Sequence, residues 1–187
     1  MEKWIVLAIL AAAAVYGIGV FNRLVRLRNL VREGWSGIDV QLKRRTDLVP
    51  NLVETVKGYA SHERTVFEEV TATRASSIAA DNVSAQASAE HALQASLGKL
   101  FAVAEAYPEL KADKNFLALQ QQLADIEDQL QMARRYYNGT VRNLNISIQS
   151  FPANLLAGTF GFHEQPFFQL DDRGQAAVPG VAFQAPG

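Results

Sequence analysis

The sequence predicts an all-α protein. An N-terminal transmembrane helix runs into an elongated antiparallel bundle of three to four helices, and a poorly structured tail follows. Three observations lead there. Trp4 to Phe21 is an apolar run without a charge. From Leu24 onward apolar residues recur every three or four positions, the period of one helix face. Beyond Pro152 that rhythm gives way to glycine, proline and phenylalanine.

The anchor comes first. As a helix, residues 4–21 would be roughly 27 Å long, close to the hydrocarbon thickness of a bilayer. Trp4 and Phe21 stand at its ends, where aromatic rings favour the headgroup boundary. A cleaved signal peptide is the rival reading, with Ala11 to Ala14 as a small-residue cleavage region. Met1-Glu2-Lys3 gives almost no positive bias on that side, whereas Arg23, Arg26, Arg28 and Arg32 follow the run closely. Positive residues after a segment resist translocation, so a retained anchor is expected. Residues 1–3 would lie outside and the body on the cytoplasmic side. The same arginines are placed to meet anionic headgroups. Ala8 with Ala12, and Ala13 with Gly17, repeat small residues at helical spacing, a surface on which helices approach closely in lipid.

The body, residues 22–150, reads as coiled-coil-like helices. Leu24, Leu27, Val31, Trp35, Ile38 and Leu42 begin a stripe that resumes through Val49, Leu52, Val56, Tyr59, Val66 and Val70. Pro50 removes a backbone donor, so a kink or short break is expected near Leu48 to Asn51. Gly34 and Gly37 are expected to loosen the helix nearer the membrane. The Ala/Ser-rich stretch Ser76 to Ser88, with Asp81 and Asn82, marks a helix end and turn. A second helix carries Leu93, Leu97, Leu100, Phe101 and Ala104 and ends at Tyr107-Pro108. The third keeps its stripe from Phe116 through Leu119, Leu123, Ile126, Leu130, Tyr137, Val141 and Leu144 to Ile148, and Phe151-Pro152 stops it. Residues 151–187 form an aromatic segment and an irregular tail, with one helical turn expected at Asn154 to Ala157.

Composition narrows the chemistry. The net charge is −1, which gives no strong pull on nucleic acid. There is no cysteine, so disulfides, thiolate metal sites and cysteine nucleophiles are excluded. No catalytic motif, phosphate-binding glycine loop or HExxH pattern occurs, and no cofactor is expected. His62-Glu63 and Glu90-His91 could face each other across two antiparallel helices as a metal site or an unrecognised active centre, but surface histidine beside glutamate is common in helices. Glu68-Glu69 and Asp125/Asp128 read as solvated helix faces. Two polar features stand out as interface candidates. Arg45 falls where the apolar stripe should continue, so it needs a partner, with Asp47 or a third-helix carboxylate such as Glu127 available. Tyr136 and Tyr137 cannot both face one core, which leaves one of them open to a partner.

The stretches RLVRLRNLVREGWSGIDVQLKRRTDLVPNLVETVKGYASHE (Arg23 to Glu63), AEAYPELKADKNFLALQQQLADIE (Ala104 to Glu127) and ARRYYNGTVRNLNISIQSFPANLLAGTFGFHEQPFF (Ala133 to Phe168) resemble the LemA family of bacterial membrane proteins, in the family's order and spacing. Gly34 and Gly37 depart from that pattern, where helix-favouring residues are commoner. The resemblance implies a single-pass, N-out anchor in the bacterial inner membrane, a cytoplasmic helical body and no catalytic residues to carry over. Together with the stripe and the small residues of the span, it leads to a scaffold or interaction protein at the bilayer, expected to be a homo-oligomer. The family's links with membrane proteases and envelope upkeep supply an alternative, an adaptor or regulator of a membrane protease.

Overall fold

The computed structural model describes residues 1–169, which form helices, turns and one extended segment without any strand among them. Helix α1, Glu2–Lys57, has 56 residues and would measure roughly 84 Å. Its first part has the length and apolarity to cross a membrane, and none of that apolar stretch is buried. Burial starts at Leu24 and continues through Val31, Ile38, Leu42, Val49, Leu52 and Val56. One helix therefore serves both as candidate membrane span and as the spine of the bundle.

Of the kink or short break expected at Pro50, the break does not occur: α1 continues through the proline as one helix. Proline at this position leaves the Thr46 carbonyl without its helical donor. Arg74 donates from Nε to that carbonyl at 2.7 Å, so the vacancy is filled from another helix. The chain turns instead at residues 58–63, before α2, Arg64–Ala79. The uninterrupted spacing of Val56, Tyr59, Val66 and Val70 conceals that turn in the sequence. A straight continuation would leave Phe67 and Val70 in water; folding back buries them with Leu93, Leu97 and Leu100.

The link at Ala80 to Asn82 matches the turn expected there, and Asn82 Oδ1 caps α3, Val83–Glu105, by accepting from the Ala85 amide at 2.9 Å. Pro108 opens a single turn, α4, Pro108–Lys111, at the first helical position, where its missing N–H costs nothing. Helix α5, Lys114–Gln149, is the long third helix that the stripe predicts; its cap is Asp113, whose Oδ1 accepts from the Asn115 and Phe116 amides. A short α6, Ala153–Ala157, follows Phe151-Pro152.

Two antiparallel pairs build the bundle. Helix α5 lies along α1, and α2 with α3 forms a hairpin whose register is marked by Glu69–Lys99, Thr73–Ser96 and Ser77–Glu90. Gly34 does the opposite of loosening α1. It is buried, and a Cβ there would lie 3.1 Å from Tyr137 Cα, so its missing side chain lets α1 and α5 approach closely. The apolar interior divides in two. A distal core gathers Val49, Leu52, Phe67, Leu93, Leu97, Leu100 and Phe116; a proximal core, nearer the span, gathers Leu24, Val31, Ile38, Tyr137, Leu144, Phe162 and Phe168.

Candidate functional site

Between the two cores lies a layer of buried charge. Arg45 and Glu90 are 7% and 2% exposed. Arg45 Nη1 lies 3.5 Å from Glu90 Oε2 and 3.2 Å from Glu127 Oε2, which ties α1 to α3 and α5 at one level. The Arg45–Glu127 contact is an ion pair whose angle falls outside hydrogen-bond geometry. The other Glu90 oxygen accepts from the Ser77 hydroxyl and from Gln86 Nε2 at 3.1 Å. Arg134 stands near the same carboxylates. Burial holds its guanidinium below the ordinary arginine range; Glu127 and Glu90 oppose that shift and Arg45 reinforces it. Two arginines and two glutamates balance in charge, so the layer is sustainable only while its members remain together. Its immediate effect is on register, because a helix that slipped by a turn would strand a charge in an apolar core.

The second feature is a strap. After α6 the chain turns at residues 158–161 and then runs extended from Phe162 to Phe168 along α5. Asn145 donates from Nδ2 to the Gln165 carbonyl at 2.9 Å and accepts the Gln165 amide at Oδ1, also at 2.9 Å. Asn138 does the same with Phe168, at 3.1 and 2.9 Å. Two helical turns advance about 10.5 Å and three extended residues about 10 Å, so asparagines seven apart meet backbone groups three apart. Tyr137 adds a hydroxyl bond to the Pro166 carbonyl at 2.9 Å, and its burial pushes its pKa up. Aromatic contacts complete the seat. Trp35 packs edge-on against Tyr137 with centroids 5.5 Å apart, and the Arg28 and Arg134 guanidinium groups lie over the Phe162 and Phe168 rings at 4.9 and 5.4 Å.

The LemA family model matches residues 34–183, a span that contains the charge layer and the strap. The chain belongs to the LemA family. Among curated relatives, magnetosome protein MamQ 2 of Paramagnetospirillum magneticum is 24% identical over 184 residues, covering 84% of this chain and 68% of the relative. Magnetosome protein MamQ of Magnetospirillum gryphiswaldense is 22% identical with the same coverage. Protein LemA of Metamycoplasma hominis is 26% identical over 157 residues, covering 83% and 71%. With its apolar N-terminal helix, this LemA-family chain is a membrane-associated helical protein.

The residues singled out from the sequence fall into place unevenly in this LemA-family fold. Of the two partners weighed for Arg45, Glu127 is in contact, while Asp47 pairs with exposed Lys43 at 3.0 Å. Tyr137 is buried and Tyr136 is 48% exposed. Arg23, Arg26 and Arg32 are exposed, whereas Arg28 is partly covered by Phe162. Ala8, Ala12 and Ala13 are uncovered, and Gly17 borders a groove shared with Leu156 and Phe160. His62 and His91 do not meet: the α2–α3 register sets them at opposite ends of the hairpin, on the order of 20 Å apart. Among the described residues no group of three or more potential ligands is gathered that could hold a metal.

Sequence reasoning considered Glu90 only beside His91 and missed it as the partner of Arg45, and it missed the asparagine pair. Glu90 had a signal, since it stands three residues before Leu93 and extends the α3 stripe backwards. Asn138 and Asn145 had one too. They stand seven apart beside stripe residues of a helix, where asparagine is a poor helix former. Within the aromatic segment expected to be irregular, residues 162–168 form the strap. The part of the expected tail at 171–187 lies outside the described residues.

Proposed function

We propose that this LemA-family protein is a membrane-anchored helical scaffold that acts by binding, assembles with copies of itself and holds its body on the cytoplasmic side of a bacterial inner membrane. The observation that carries the reading is the continuity of α1: the uncovered apolar span passes into the buried stripe at Leu24 without a break. A flexible tether would only localise the body, whereas a continuous helix also orients it. Exposed Arg23, Arg26 and Arg32, set just after the span, support the orientation. Self-assembly draws support from Ala8 and Ala12. At 3.6 residues per turn they lie roughly 140° around α1 from the groove at Ala14 and Phe21, on a side that this chain leaves open.

Cysteine chemistry tests both parts, because the sequence has none of its own. Ala12→Cys is expected to cross-link into dimers in native membranes, and Lys57→Cys to resist an impermeant thiol reagent applied from outside intact cells. Failure to cross-link, joined to a monomer mass by light scattering in mild detergent, would overturn self-assembly. Labelling of position 57 from outside would overturn the orientation.

A further inference from the structure

We infer that α6 and its aromatic flanks form a second, shallow contact with the same bilayer that α1 crosses, with Phe151, Leu155 and Phe160 entering the acyl boundary. The inference rests on the reading of residues 4–21 as a membrane span. Antiparallel pairing with α1 carries the end of α5 back to the place where the apolar run stops. There the Phe160 and Phe162 rings stand 5.1 and 5.7 Å from Phe21. The contact reaches further along the span. Ala14, Gly17, Ile18 and Phe21 line an apolar groove of about 370 Å³ with Leu156 and Phe160.

Depth follows from length. Ala14 lies roughly 10 Å along the helix from Phe21, towards the middle of the run. If the water boundary were moved back to Ala14, residues 4–14 would offer only about 16 Å of apolar helix, far short of a hydrocarbon core of about 30 Å. A span long enough to cross therefore brings the α6 side of the groove to the headgroup and acyl level. The outward surface suits that level. Phe151, Leu155 and Phe160 are 80%, 65% and 52% exposed, and the stretch from Phe151 to Phe162 holds no charged residue. Aromatic and aliphatic side chains on an uncharged turn gain free energy at the lipid boundary, whereas in water they remain exposed. Lipid, continuous with the span alongside, is the occupant that this geometry commits to.

The experiment uses the full chain in phosphatidylcholine and phosphatidylglycerol vesicles, with one spin label at a time on Phe151→Cys, Leu155→Cys, Leu10→Cys or Asp125→Cys. Collision rates with lipid-soluble oxygen and with a water-soluble nickel chelate are compared. Positions 151, 155 and 10 are expected to favour oxygen several-fold, and exposed position 125 to favour nickel. Oxygen preference at position 10 with nickel preference at 151 and 155 would overturn this contact and leave the span intact. Nickel preference at position 10 would overturn the span, and the inference with it. Protection of 151 and 155 from both reagents would mean that a second copy covers the patch, which also overturns it.

Discussion

Arg74 donates a hydrogen bond from Nε to the Thr46 carbonyl at 2.7 Å, the carbonyl that Pro50, four residues on in the same helix, leaves without its helical donor. The α2–α3 hairpin thus repairs α1 at its only internal proline. Arg74→Ala should cost about 1–3 kcal/mol, since a part-buried carbonyl loses its donor. Pro50→Ala restores an amide at position 50 and should recover most of that loss in the double variant. Thermal unfolding followed by circular dichroism measures the cycle, and additive effects would refute the coupling.

The charge layer makes a different prediction. Arg45→Met leaves Glu90 buried beside Ser77 and Gln86 without its cation, and should destabilise by about 3–5 kcal/mol. Adding Glu90→Gln removes the stranded charge while keeping a side chain able to hydrogen-bond. The double variant should therefore be more stable than Arg45→Met alone. Denaturant unfolding of the two variants decides this.

Gly34 and Gly37 offer an internally controlled pair. A Cβ at Gly34 would lie 3.1 Å from Tyr137 backbone, while one at Gly37 would meet nothing within 4 Å. Gly34→Ala should destabilise by about 1–3 kcal/mol through separation of α1 and α5. Gly37→Ala should stabilise by about 0.5–1 kcal/mol through reduced chain entropy. Equal shifts in melting temperature would remove the special role of position 34.

The strap should open in steps. Asn145→Ala removes both bonds to Gln165, and Asn138→Ala both bonds to Phe168. Each change should speed amide exchange at its own strap residue about tenfold or more, given ~1 kcal/mol per hydrogen bond lost. Unchanged exchange across residues 160–168 would mean that the aromatic contacts alone hold the strap.

At the far end, Tyr59 donates its hydroxyl to Asp113 Oδ2 at 3.1 Å. That bond, followed by the carboxylate charge, raises the tyrosine pKa above 10.0. The Phe116 amide, then Tyr59 and the Asn115 amide, lower Asp113 below 3.8, against the opposing effect of burial. The tyrosine's contribution is complete below pH 10.0 and lost as pH rises through its raised value; the aspartate's is present above pH 3.8 and lost as pH falls through its lowered value. Asp113→Asn keeps a capping oxygen but removes the charge. It should bring the Tyr59 titration, isolated by difference from a Tyr59→Phe chain at 295 nm, back towards the ordinary range. No movement would show that Asp113 does not set it.

What the sequence showed and what it hid follow from the range of each interaction. The α5 stripe from Phe116 to Ile148 and the ends at Tyr107-Pro108 and Phe151-Pro152 are local patterns, and each appears in the fold. Pro50 was misleading because its compensating donor, Arg74, lies on another helix. The turn at residues 58–63 was hidden because apolar spacing carries across it unchanged. For Arg45, the sequence showed the need for a partner and offered Glu127, but Glu90 sits 45 positions away and only folding brings it there. The strap could be suspected from the asparagine spacing, but its direction depends on α6 reversing the chain.

The unbroken course of α1 has a mechanical consequence. From Phe21 to Lys57 it extends roughly 54 Å beyond the apolar run, so a tilt of that run would be carried to the far end of the body. Each 10° of tilt there displaces the far tip by roughly 9 Å. Spans tilt to match the thickness of the membrane around them. The end that carries Tyr59 and Asp113 would therefore move furthest for any tilt of the candidate span.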